Sequence, residues 1–99
     1  MKMTESQKKL LRGRGHGLKP VITVGDAGLS ESLVKEFEAT IEHHELIKVR
    51  VRTNDREARN KMIDELCVLG AATLISRIGN VALLYRPNTK KPRIVLPPG

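Results

Sequence analysis

Lys19-Pro20-Val21-Ile22-Thr23-Val24-Gly25-Asp26-Ala27-Gly28-Leu29-Ser30-Glu31-Ser32-Leu33-Val34-Lys35 decides how this chain folds. Val21 to Val24 is a short β-branched run, given an extended start by Pro20, and Gly25 to Gly28 is a two-glycine turn. Ser30 then suits an N-cap, its hydroxyl accepting from an orphan amide of the first helical turn. Beyond it Leu33, Phe37 and Ile41 recur at fourth-residue spacing, with Val34 beside them, so a helix presents one apolar face. The unit is strand, glycine loop, helix. Such a loop allows close backbone approach and opens onto a helix N-terminus, where an anion is favoured. The same spacing also serves as a plain turn, and the Asp26 carboxylate repels phosphate.

Upstream, Thr4 and Gln7 have capping-box spacing and start a helix near Glu5. Met3, Leu10 and Leu11 form its apolar stripe, with Lys8, Lys9 and Arg12 lying away from it. Gly13, Gly15 and Gly17 are expected to interrupt that helix, leaving Arg14 and His16 in a flexible connector. Downstream, His43 and His44 end the second helix near its negative pole. Neighbours on a helix point about 100° apart, so the two rings cannot share a metal. In Leu46 to Arg52, Ile47, Val49 and Val51 alternate with Lys48, Arg50 and Arg52, so the strand has an apolar side and a cationic side. Asn54-Asp55 caps a third helix with a stripe of Ala58, Met62, Leu66 and Leu69, Ile63 and Cys67 alongside, and Gly70 as its stop. Ala72 to Ile78 and Val81 to Tyr85 flank Gly79-Asn80, a hairpin turn. Residues 88 to 99 are expected to form a basic tail, with at most a short edge strand.

The resulting order, α-β-α-β-α-β-β, is that of one α/β (α+β) domain over residues 1–99, with a four-stranded mixed sheet packed by helices. Two β-α-β crossovers call for parallel neighbours, and the hairpin adds an antiparallel pair. With Phe37 and Tyr85 as its aromatics and no Trp, the chain has an aliphatic core. The single Cys67 leaves no partner for an internal disulfide, and it reads as a buried, inert thiol.

The net charge of +7 is unevenly spread. Residues 1–20 set Lys2, Lys8, Lys9, Arg12, Arg14 and Lys19 against Glu5, and residues 86–99 hold Arg86, Lys90, Lys91 and Arg93 with no acid. Between them, eight basic and ten acidic residues leave the middle slightly negative. Positive ends on a neutral body suit a polyanion partner. No stretch approaches the roughly 18 apolar residues of a membrane span, and the N-terminus lacks a secretory apolar core, so a cytoplasmic protein is expected. Ser-His-Asp order, metal-ligand spacing and a Walker-type lysine loop are all missing. Acids such as Glu31, Glu38 and Glu42 sit at solvated helix positions. The expectation is a non-enzyme without cofactor or metal.

Four blocks carry a resemblance to a known family: Leu18-Lys19-Pro20-Val21, Val24-Gly25-Asp26-Ala27-Gly28-Leu29, Glu42-His43-His44-Glu45-Leu46-Ile47-Lys48-Val49 and Leu84-Tyr85-Arg86-Pro87. In this order they resemble the CRM domain, most closely its small stand-alone bacterial form of the YhbY type. The resemblance implies an RNA-binding domain similar in fold to the C-terminal domain of a bacterial translation initiation factor and loosely KH-like. It also implies association with precursors of the large ribosomal subunit. The family's loop motif falls on Gly25, Asp26, Ala27 and Gly28. Its members often carry a basic or polar residue where this chain has Asp26 and Ala27, which shifts the expected contact from side chains to backbone amides.

The expected function is therefore binding of structured RNA, ribosomal RNA of a pre-50S particle, by a monomeric maturation factor. The expected contacts are the loop Gly25, Asp26, Ala27 and Gly28 with Lys8, Lys9, Arg12, Lys19, Lys35, Lys48, Arg50, Arg52 and Arg86. Lys19 and Lys35 are expected to supply positive charge beside the loop, and both basic ends are expected to fold onto one patch next to it. The alternative is a module docking on ribosomal or RNA-processing proteins, its cations serving solubility.

Overall fold

Val81-Ala82-Leu83-Leu84-Tyr85 is an unbroken apolar run, and a strand of that kind is stable when both of its faces are covered. In the computed structural model, which describes residues 2–98, it occupies an interior position of the sheet. The elements are α1 (Glu5–Gly15), β1 (Pro20–Val24), α2 (Glu31–His44), β2 (Leu46–Val51), α3 (Arg56–Leu69), β3 (Thr73–Ile78) and β4 (Val81–Tyr85). The sheet order is β1-β2-β4-β3. β1 runs parallel to β2, while β4 is antiparallel to both β2 and β3.

The second crossover therefore does not join neighbours, as the connection rule alone suggested. β2 and β3 are parallel to each other, but β4 lies between them. The cause is hydrophobicity. Ala82, Leu83, Leu84 and Tyr85 are all buried, whereas β3 carries Leu74 and Ile78 in the open and belongs at an edge.

The local signals hold. Thr4 and Gln7 form a reciprocal capping box at the start of α1. The Ser30 hydroxyl accepts from Leu33 N at 3.2 Å, and the Asp55 carboxylate accepts from Glu57 N at 3.1 Å. α2 and α3 cover one face of the sheet, where Phe37, Ile41, Ile63 and Leu66 meet Val49 and Leu84. Leu69 is 54% exposed, because the buried stripe of α3 centres on Ile63 and Leu66 and passes it by. Cys67 is half-buried, and desolvation together with the Asp64 carboxylate pushes its thiol up to about 11. It stays protonated at neutral pH, which keeps it a poor nucleophile.

α1 covers the other face. Its helix runs through Gly13 and ends at Gly15, so Arg14 is helical and not part of a connector. Packing overrides propensity here. A Cβ on Gly15 would sit 2.7 Å from Leu83 Cδ2, so glycine is what lets the helix lie directly on β4. Leu11, wholly buried, anchors the helix at about 1.5–3 kcal/mol for a large side chain taken out of water. Residues 88–98 add no strand. They run as an irregular strap over the same layer, with Ile94 and Leu96 against the Leu11 cluster and Gln7 Nε2 donating to Pro97 O at 2.9 Å.

Candidate nucleic-acid interface

The alternation in β2 fixes which face is cationic. Ile47, Val49 and Val51 point into the α2–α3 core. Lys48 pairs with Leu83 and Arg50 with Val81 across the ladder, so both side chains lie on the α1 face. α1 brings Lys9, Arg12 and Arg14, all exposed, and the half-buried Lys8. The strap brings Lys90, Lys91 and Arg93, also exposed. On the far side of the sheet, α2 carries Glu31, Glu36, Glu38 and Glu42 against Lys35. α3, on that same side, balances Arg56, Arg59 and Lys61 against Glu57, Asp64 and Glu65, so the excess of cations lies with α1 and the excess of acids with α2. α1 leaves part of its face open, and there Pro20, Lys48, Arg50, Ser76, Ile78 and Val81 line a shallow groove. Lys48 Nζ is steadied over it by a 3.0 Å bond to Leu18 O.

The glycine loop is a built turn. Gly28 N donates to Gly25 O at 3.0 Å, Ser30 N donates to Gly28 O at 3.0 Å, and Gly28 holds φ at 68°. Nothing lies within 4 Å of a Cβ built at Gly25 or Gly28, so the loop stands clear for approach from outside. Closing the turn engages the Gly28 amide. The adjacent cation is Arg52, whose N donates to Val24 O at 2.9 Å and whose side chain is exposed.

Arg50, paired with Thr23, also lies at this end of the sheet, whereas Lys19, Lys35 and Arg86 are placed differently. Lys19 precedes β1 while the loop follows it, so the strand holds them roughly 15 Å apart at its rise per residue. Lys35 is on α2, behind the sheet, 3.8 Å from Glu31 in a largely exposed pair. Arg86 is committed to the fold. Its Nη1 donates to Gly70 O at 2.9 Å and its Nη2 to Glu42 Oε2 at 2.7 Å, which leaves its side chain 17% exposed. The C-terminal strap meets the α1 layer through Ile94, Leu96 and the Gln7–Pro97 bond. The strap, however, is tied to the Glu45–Tyr85 end of the sheet, and the glycine loop is at the opposite end.

Glu45 went unread in the sequence. It is 0% exposed and holds φ at 64°, a conformation L side chains seldom adopt. Its backbone N donates to Ile41 O and its carbonyl accepts from Arg86 N. Its carboxylate accepts from Asn88 N at 2.7 Å, Arg93 N at 2.6 Å and Ile94 N at 2.9 Å. Burial first, then this carboxylate, raises the Tyr85 phenol above its usual value. The run His43-His44-Glu45 gave one hint, since a charged residue sits where the helix must turn sharply into the apolar strand. The strap partners lie more than forty residues on. Among the described residues, no group of three or more His, Cys, Asp or Glu is arranged to hold a metal ion, and no helix is long and apolar enough to cross a membrane.

Known proteins share this architecture. A solved structure of a hypothetical protein from Staphylococcus aureus superposes with a TM-score of 0.82 at 30% identity, over 97% of this chain and 100% of that one. A Pseudomonas aeruginosa protein named "Probable RNA-binding protein" is 42% identical over 90 residues, 91% of this chain and 86% of its own length. A Bacillus subtilis protein, YqeI, with the same description is 34% identical over 95 residues, 96% of this chain and 99% of its own. The CRS1 / YhbY (CRM) domain profile matches residues 3–86, from the capping box of α1 to the arginine after β4, and this chain belongs to that family.

Proposed function

We propose that this protein is a non-catalytic, monomeric RNA-binding factor that acts in the cytoplasm on the precursor of the large ribosomal subunit. The observation that carries the reading is the division of charge by the sheet. Lys8, Lys9, Arg12, Arg14, Lys48 and Arg50 lie on one side and the α2 acids on the other. Structured RNA offers phosphates and 2′-hydroxyls over a wide, shallow groove, and a surface of lysines and arginines reads those groups without stacking. The aromatics support the same view. Phe37 and Tyr85 are both buried, so neither is available as a base platform. Family membership and the names of the relatives support RNA as the polyanion; the ribosomal target rests on the family resemblance.

Arg50→Ala tests the surface. Arg50 is exposed and has no side-chain partner among the described residues, so the variant should fold normally, weaken binding to different structured RNAs about equally and flatten the log–log salt slope by ~0.7 to 0.9. An unchanged slope removes Arg50 from the interface. Crosslinking in cells with ultraviolet light, followed by sequencing of the attached RNA, tests the target. Reads should concentrate in the large-subunit ribosomal RNA precursor. Reads spread in proportion to transcript abundance would overturn the ribosomal assignment.

A further inference from the structure

The family profile ends at residue 86, yet the chain continues into a segment with three cations that is hydrogen-bonded at Asn88, Lys90, Lys91, Arg93 and Ile94. Asn88 is its first knot. Its N donates to Glu45 Oε2, its Nδ2 donates to Glu42 O at 2.9 Å, and its Oδ1 accepts from Lys90 N at 3.1 Å and Lys91 N at 3.0 Å. The second knot is Glu45 Oε1, which accepts from Arg93 N and Ile94 N. Between the knots the backbone of residues 88–94 is held, while the side chains of Lys90, Lys91 and Arg93 are exposed. Ile94 and Leu96 then close the strap against the α1 layer.

The geometry points to residues 88–94 as a second RNA-contacting element, a preformed cationic loop whose shape is set by the buried carboxylate of Glu45. Glu45 is a positioning residue: it is sealed from solvent and acts on RNA only through the loop. A carboxylate suits the task because it is acceptor-only, and here it faces three N–H donors. Each state in which the strap leaves gives up all three of these hydrogen bonds together, and bonds to a charged acceptor are the stronger kind. The strap is therefore held even though its exposed side chains repel one another. Holding it before RNA arrives removes the ordering cost that a loose tail would impose on binding.

The inference rests on the RNA-binding reading, and a double-mutant cycle separates the two. The variants are Glu45→Gln, the triple Lys90→Ala/Lys91→Ala/Arg93→Ala and their combination, titrated with a stem–loop RNA over a range of salt. The triple should flatten the salt slope by roughly 2 to 3. Glu45→Gln, whose amide sets a donor against a donor, should weaken binding roughly three- to tenfold in the wild-type background and hardly at all in the triple background. Equal losses in both backgrounds, or an unchanged slope in the triple, would overturn the inference. Amide hydrogen exchange reports on the latch without RNA. Asn88, Arg93 and Ile94 should be protected in the wild type and lose protection in Glu45→Gln; rapid exchange in the wild type would overturn the latch. Asn88→Ala, which frees Lys90 N and Lys91 N at a half-buried position, serves if Gln is not tolerated at residue 45. A wild-type protein that binds no RNA while those amides stay protected would sink the RNA reading and leave the latch standing.

Discussion

Arg86→Ala should lower the melting temperature by roughly 8–16 °C and leave the salt slope of RNA binding unchanged. The guanidinium bonds Gly70 O at the end of α3 and Glu42 on α2, and so joins two helices across the end of β4. Gly70 is buried, and without Arg86 its carbonyl loses a charged donor. Hydrogen bonds to charged groups are worth about 1.5–3 kcal/mol, and about 2 kcal/mol corresponds to that temperature change in a domain of this size. The Glu38 and Glu42 carboxylates are about half exposed, so the ion pairs themselves add little. Calorimetry and a salt titration of the same variant decide the matter. A stable variant with a slope flatter by ~0.7 to 0.9 would return Arg86 to the RNA interface, where its place in the sequence first put it.

Gly70→Ala should be damaging to a similar degree, and Ala71→Gly should not be damaging at all. A glycine at the end of a helix is ordinarily there for its positive φ. Gly70, however, has φ −99° and ψ 7°, values open to any residue. The left-handed position falls one residue later, on Ala71 at φ 50°. Gly70 is required for space. A Cβ there would overlap Phe37 Cε2 and lie 2.9 Å from its Cδ2, and Phe37 is wholly buried with nowhere to move. Overpacking of this kind costs about 1–3 kcal/mol and occasionally more. Ala71→Gly instead relieves a strained backbone and should be neutral or stabilising by roughly 0.5–1 kcal/mol. Denaturant unfolding of the two variants gives opposite signs if packing is the cause. Losses of equal size in both would show that Gly70 is serving the turn.

Much of the interface was legible because it is local. The β2 alternation put Lys48 and Arg50 on one face, and the structure keeps them there. The capping box of Thr4 and Gln7 located α1 and with it Lys8, Lys9 and Arg12. Lys19, by contrast, looked adjacent to the glycine loop because only a short stretch separates them. In an extended strand a short stretch is a long distance, and it carried Lys19 to the far end of β1. Arg86 looked free because its neighbours in the chain are uncharged. Its acceptors, Gly70 and Glu42, lie 16 and 44 residues away.

From the amino-acid sequence alone came the seven elements, their caps and the polarity of β2, since hydrophobic period and cap chemistry act over a few residues. Tertiary structure alone decided the strand order, the helical course through Gly13 and Gly15, the commitment of Arg86 and the capture of the strap by Glu45. Each of these depends on which surfaces meet after the chain has closed on itself: Gly15 on Leu83, or Glu45 on an amide 48 residues further along. Short-range rules carry no information about such meetings, because the energy that selects them is burial, and burial is a property of the assembled layers.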